Sequence, residues 1–347
     1  MRSYLRGLIL PLALLAGTAG AQPMLFVEKC SDGVMFGIDL AIQYCDRALN
    51  SGELSDAYKV VVHFNRGQWL LSANQIEKAL ADFDEAIRIR PEHQDQKHRA
   101  LLFLTRGNAR VRRQLFEQAL LDFSEALRLH PVLGDAFVSR GHAWLRKNEV
   151  DKAIEDFSEA LRQEPANSFS PRGQGIALSS RRAFDRGDLD GTAYLGRGMA
   201  YMRRNEHQRA IEDFNEAIRL RPERPASLLA RATARSALKE FDLAISDLDA
   251  VVRMSPQDVT ALYRRGISHG QKKDYERATV DFDEAIRLNP RFREAYLARG
   301  IAWSNRNDLD RAIADISAAI GLQPNDPQAS RLRESLLRRR EGSKAIN

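Results

Sequence analysis

Small and apolar residues return along this chain with a base period of 34 residues, and within each period they form two stripes of helical spacing. With Gly67 numbered as position 8 of a unit, position 8 is filled by Gly67, Gly107, Gly141, Gly198, Ala232, Gly266 and Gly300. Position 20 is Ala79, Ala119, Ala153, Ala210, Ala244, Ala278 and Ala312, and position 24 is Phe83, Phe123, Phe157, Phe214, Leu248, Phe282 and Ile316. Apolar residues at position 4 (Phe103, Phe137, Tyr194, Leu262, Tyr296) and at position 27 complete the pattern. The stripes at 4, 8, 11 and at 20, 24, 27 predict two amphipathic helices per unit, joined by polar turns such as Lys272-Lys273-Asp274. Pro at position 32 (Pro91, Pro131, Pro165, Pro222, Pro256, Pro290, Pro324) ends the second helix. Glycine inside a helix costs about 1 kcal/mol relative to alanine. Six units accept that cost, so position 8 is expected where two backbones approach closely, with the position-20 alanine opposite it.

These positions resemble the tetratricopeptide repeat family, whose pattern is an aromatic at 4, Gly or Ala at 8, Ala at 20, an aromatic at 24, Ala at 27 and Pro at 32. The resemblance covers residues 60 to 326. It implies an all-α, right-handed superhelical solenoid of seven helix hairpins, with the first helix of each lining a concave groove. By analogy with the family the groove includes Leu104, Val138, His142, Leu195, Met199, Met202, Leu229, Tyr263, Arg264, Ile267, Leu297 and Ile301. The expected function is an interaction scaffold, not an enzyme, that takes a protein or peptide segment held by apolar anchors. Self-association of the array is one alternative, and an enzyme or a binder of an envelope polymer using residues 168–190 is another. Some family members clamp a chain-terminal carboxylate, but Asn65, Asn108 and Arg264 fall at such positions in separated units, so no clamp is assembled.

Position 7, usually Leu in the family, is arginine in every copy: Arg66, Arg106, Arg140, Arg197, Arg231, Arg265 and Arg299. Position 23 is aspartate in every copy: Asp82, Asp122, Asp156, Asp213, Asp247, Asp281 and Asp315. Both positions lie on the packed stripes, where an unpaired charge is expensive. Arg–Asp pairing within a unit or between neighbours is therefore expected, in place of a line of free arginines for an anionic polymer.

The ends carry different signals. Arg2 and Arg6, the apolar run Leu8–Ala16 and Ala19-Gly20-Ala21 read as an export signal cleaved before Gln22. The expected destination is the periplasm of a bacterial envelope, with secretion beyond it the alternative. Nothing downstream is long and apolar enough to cross a bilayer. Loss of residues 1–21 removes two arginines and no acid, which lowers the formal charge from +6 to +4. So modest an excess does not argue for nucleic acid. Two cysteines in an exported chain, Cys30 and Cys45, point to one disulfide closing a loop of about 15 residues, a contribution of about 3 kcal/mol. The sequence thus divides into a signal (1–21), an N-terminal cap (22–59), units 1–3 (60–167), an insert (168–190), units 4–7 (191–326) and a capping helix with tail (327–347). In the N-terminal cap, residues 36–50 read as half a repeat, with Ala41 and Ala48 in register. This stretch resembles the start of small exported bacterial members of the family.

Two inserts break the period: residues 94–99 and Ser168–Asp190. The longer one is either a spacer or a partner-contacting segment. No catalytic motif stands out, and His93 with His98 is too small a set for a metal site. No cofactor is expected.

Overall fold

The computed structural model describes residues 21–32, 37–89, 95–163 and 186–346. The expected export signal up to residue 20, Pro91, Pro165, His93 and residues 168–185 of the longer insert lie outside the described residues. Among the described residues all regular structure is α-helical, in seventeen helices. The chain divides into two compact units, residues 1–200 and 201–347. In the first, α1 (Ala21–Ser31) packs on α2 (Ile38–Asn50), followed by the hairpins α3 (Asp56–Ser72)/α4 (Ile76–Arg88), α5 (Gln96–Arg112)/α6 (Phe116–Leu129) and α7 (Gly134–Arg146)/α8 (Val150–Arg162). Helix α9 (Arg186–Arg203) includes the sequence boundary at residues 200/201. The second unit contains α10 (His207–Leu220), the hairpins α11 (Pro225–Ala237)/α12 (Phe241–Met254), α13 (Val259–Gln271)/α14 (Tyr275–Leu288) and α15 (Arg293–Asn305)/α16 (Leu309–Leu322), and a last helix α17 (Pro327–Ile346). Within each unit successive helices pack on one another, which makes the fold an all-α repeat solenoid.

Each hairpin turns the same way. The residue at position 15 is left-handed in all seven repeats: Asn74, Gln114, Asn148, Asn205, Lys239, Lys273 and Asn307, with φ between 59° and 64°. Its N–H donates to the carbonyl of position 12, and the next N–H donates to position 11, as in Asn148 to Leu145 and Glu149 to Trp144. This Schellman closure satisfies the last carbonyls of the first helix and starts the second.

The position-8 glycine is required for a reason other than the expected one. A Cβ at Gly67, Gly107 or Gly266 would lie 2.5–2.6 Å from the ring of Phe83, Phe123 or Phe282 at position 24. The ring at 24, and not the alanine at 20, fills the space, because alanine is too short to set the helix separation. At Gly300, where Ile316 replaces the ring, the Ala312 carbonyl also comes within 3.2 Å. In the fifth repeat both partners change together: Ala232 occupies position 8 and the smaller Leu248 occupies position 24, both buried in one cluster.

The arginines and aspartates then tie hairpin to hairpin. Arg66, Arg106, Arg140, Arg231, Arg265 and Arg299 donate Nε (2.8–3.1 Å) and Nη2 (2.6–2.7 Å) to Asp82, Asp122, Asp156, Asp247, Asp281 and Asp315 of their own second helix. The third guanidinium nitrogen, Nη1, reaches position 25 of the preceding second helix: Asp46, Asp84, Ser124, Asn215, Asp249 and Asp283 respectively. Arg197 donates Nη1 to Ser158 in the same manner, and Asp213 is buried in α10. Burial alone would raise the Asp82 carboxyl, but Arg66 and the His63 ring overcome it and hold that group below the ordinary carboxylate range. The same bonds hold the guanidiniums of Arg66, Arg265 and Arg299 above their ordinary value despite desolvation.

Both ends depart from the plain repeat. Residues 36–50 were expected to cap alone as half a hairpin. Instead α1 lies against α2, so the cap is a hairpin of its own, with Cys45 at position 24 bonded to Cys30 of α1. Both cysteines are fully buried, and Trp69 Nε1 donates to the Cys30 carbonyl at 2.8 Å. The described parts of the two inserts extend first helices: residues 96–99 begin α5 and residues 186–190 begin α9. At the other end Asp326 accepts from the backbone N–H groups of Gln328 and Ala329, and Ala329 and Leu336 bury α17 against α16. No helix among the described residues is long and apolar enough to cross a membrane.

Two stability measurements follow from this packing. Gly107→Ala is expected to lose about 1–3 kcal/mol by overpacking the Phe123 ring, and most of that loss should vanish in a Phe123→Leu background, as read from thermal melts of the four proteins. Asp156→Ala strands Arg140 in a mostly buried site and should cost about 3 kcal/mol. Asp46→Ala removes a half-exposed outer contact of Arg66 and should cost less than about 1 kcal/mol. Equal midpoints for these two variants in urea would refute the ranking.

Candidate partner-binding face

The first helices are amphipathic in two directions. One stripe faces the hairpin partner, and a second, at positions 2, 5, 6, 9, 12 and 13, is left to the neighbouring first helices or to solvent. Whether a residue there is available depends on what packs beside it, and the two compact units differ in this.

In the first unit the face is largely filled. Leu104 and Val138, expected to line a groove, are only 4% and 7% exposed and belong to the packed clusters around α5–α8. Neighbouring first helices pack closely there, and these aliphatic chains fill the space between them. His142 stands edge-on against the Phe157 ring, with centroids 5.0 Å apart, and burial holds its imidazole below its ordinary value. Burial likewise pushes the Asp135 carboxyl up to about 6. Leu195 is half-buried, whereas Met199 is 44% exposed.

In the second unit the face opens. A depression of about 360 Å³ lies between α13 and α15, with Tyr263, Ile267, Leu297 and Ile301 among its lining residues. These four were expected groove residues, and the structure brings them together. Ile301 is 48% exposed. Tyr263 leans on Phe282 and Phe292, and burial together with the charge of Glu294 raises the pKa of its phenol. Glu294, Gln271 and Asn305 supply a polar rim. Arg264 is turned away to the Thr233 hydroxyl, Met202 sulfur lies 3.4 Å from the His207 ring, and Leu229 is half-buried against the α11/α12 cluster.

The sequence reading missed Gly270, Ala298 and Ala302, which line the depression without projecting into it. A signal existed: Gly270 is a helical glycine at position 12, where the first four repeats carry Leu71, Val111, Leu145 and Met202 and the fifth and seventh carry Ser236 and Ser304. A second depression of about 430 Å³ is lined by Arg265, Asp281, Asp283 and Glu284, charges of which Arg265, Asp281 and Asp283 already belong to the ladder. Among the described residues no group of three or more His, Cys, Asp or Glu could hold a metal ion. His98 lies 3.6 Å from Asp95.

Comparison with known proteins agrees with this architecture. Models described as tetratricopeptide repeat match residues 60–93, 104–168, 192–224 and 259–292. No curated protein matches the chain. Among solved structures, a tetratricopeptide repeat protein from Parabacteroides merdae is similar at TM-score 0.55 and 16% identity, covering 80% of this chain and 99% of its own. A chain of the Cut9–Hcn1 hetero-tetramer of the APC/C is similar at TM-score 0.57 and 17% identity, over 95% of this chain and 57% of that one. The pilF protein of Pseudomonas aeruginosa is similar at TM-score 0.55 and 15% identity, over 70% of this chain and all of that one. At these identities the likeness is one of fold. With the repeat models matching four stretches in register with the hairpins, the chain belongs to the tetratricopeptide repeat family.

Proposed function

We propose that this chain is an exported interaction scaffold that binds a protein or peptide segment across the face of its first helices, without chemistry of its own. The observation that carries the reading is the open apolar depression between α13 and α15, lined by Tyr263, Ile267, Leu297 and Ile301. The conspicuous arginines at position 7 do not compete as a site, because their nitrogens are engaged with Asp and with the preceding hairpin. An apolar surface with a polar rim suits a segment held by side-chain anchors. Export rests on the N-terminal sequence, and the buried Cys30–Cys45 bond suits an oxidising compartment such as the bacterial periplasm.

A photo-crosslinking residue at Ile301, in protein expressed in its native cell, is expected to capture a partner. The same residue at Leu121, a 71% exposed position on a second helix, should not. Equal capture at both positions overturns the face assignment, and capture of a second copy of the chain replaces it with self-assembly. N-terminal sequencing of the purified protein should read from Gln22; an intact Met1 in the cytoplasm refutes export.

A further inference from the structure

Position 12 has a regular task in the first compact unit. Leu71 packs in one cluster with Ala109, Val111 with Ala143, and Leu145 with Ala200, so its side chain fills the space beside position 10 of the next first helix. In the last three repeats position 12 is small, Ser236, Gly270 and Ser304, and at Gly270 no side chain remains. The glycine is helical without a positive φ, and no atom lies within 4 Å of where its Cβ would stand. Neither a turn nor a close approach explains it, and helical glycine is unfavourable by up to about 1 kcal/mol relative to alanine. What the absence creates is the depression beside Ala298, Ile301 and Ala302.

We propose that Gly270 opens a socket for one bulky apolar side chain, aromatic or aliphatic, of a partner peptide that also carries a cationic residue. This deepens the scaffold reading above and rests on it. At about 360 Å³ the depression sits near the small end of the roughly 300–1,000 Å³ typical of ligand pockets, with room for a large side chain. Its walls are Tyr263, Ile267, Leu297 and Ile301, and its floor includes Gly266 above the Phe282 ring. The rim sets the charge preference. Glu294 is exposed, and its nearest cation is Arg293 at 3.7 Å, a side chain already paired with Asp326. Arg264, the other cation nearby, is hydrogen-bonded to Thr233. A lysine or arginine next to the anchor would therefore find an exposed carboxylate whose ion-pair partner, Arg293, is shared with Asp326.

The test uses a displayed library of random dodecapeptides against residues 22–347 as the intact mature chain. Enriched peptides are expected to share a large apolar residue with Lys or Arg within a few positions. Gly270→Leu, which restores the residue of the first and third repeats, should melt no lower than wild type and weaken these peptides about tenfold or more. Gly270→Met, the residue of the fourth repeat, serves the same purpose should leucine perturb the fold. Glu294→Gln should weaken them several-fold at low salt and little at high salt. Enrichment of no such motif, or unchanged affinity in folded Gly270→Leu and Gly270→Met, overturns the socket. Where those peptides are still lost on Ile301→Glu, the first-helix face survives as the binding surface and only the socket falls. Where they also survive Ile301→Glu, the scaffold reading of this face falls with it.

Discussion

A phenyl ring lodged where a side chain is missing sets the geometry of most hairpins in this chain. Burying a phenylalanine side chain contributes roughly 1.5–3 kcal/mol, and Phe83, Phe123, Phe157, Phe214 and Phe282 are all at most 2% exposed. That burial requires the first helix to come within contact of the ring, which only glycine at position 8 permits. The contact also extends past its own hairpin: Gly196 of α9 would place a Cβ 2.5 Å from Phe157, so this ring is held between two first helices. Packing within a repeat and packing between repeats thus share the same side chain. This sharing is how units too small to bury a core singly become stable as a stack.

The ion ladder has a different part to play. Moving two charges out of water offsets most of what their attraction supplies, so a buried Arg–Asp pair adds little net stability over an apolar pair. Its geometry, however, is demanding. The guanidinium spends Nε and Nη2 on its own second helix and Nη1 on the preceding one, so three helices must stand in one register for every nitrogen to be satisfied. Rotation of a second helix by one residue would carry the aspartate about 100° away and leave a guanidinium without its partner in a largely buried site. The rings supply the cohesion and penalise loose packing; the ladder penalises wrong register.

Most of this architecture is legible from spacing alone. The stripes, the polar turns and the Arg–Asp repetition are periodic, and a periodic signal survives in sequence because every copy solves the same packing problem. The glycine's partner was less legible, since position 20 and position 24 lie on one stripe and only the reach of the side chain decides which meets position 8. Helix α1 escaped because it lacks the markers: its position-8 residue is Lys29, and a disulfide to Cys45 takes the place of the ring. The groove was legible by position and illegible by access. Leu104 and Leu297 occupy comparable places on their helices, yet one is packed away and the other lines an opening, because access depends on the residues of the adjacent helix.

In an array of copies each repeat serves as a control for the others, and this gives a physical criterion for separating structural departures from functional ones. Ala232 breaks the glycine rule, but Leu248 breaks the phenylalanine rule with it, so the space one residue takes is returned by the other. Ile316 opposite Gly300 is a similar exchange of one apolar volume for another. Position 12 turns small in all of the last three repeats, Ser236, Gly270 and Ser304, and at Gly270 no atom comes within 4 Å of the vacated space, which stays open to the surface. A departure that is compensated within the fold can be accounted for by folding alone. One that is uncompensated, and that exposes apolar walls beside an exposed carboxylate, leaves its balancing interaction to come from outside the chain.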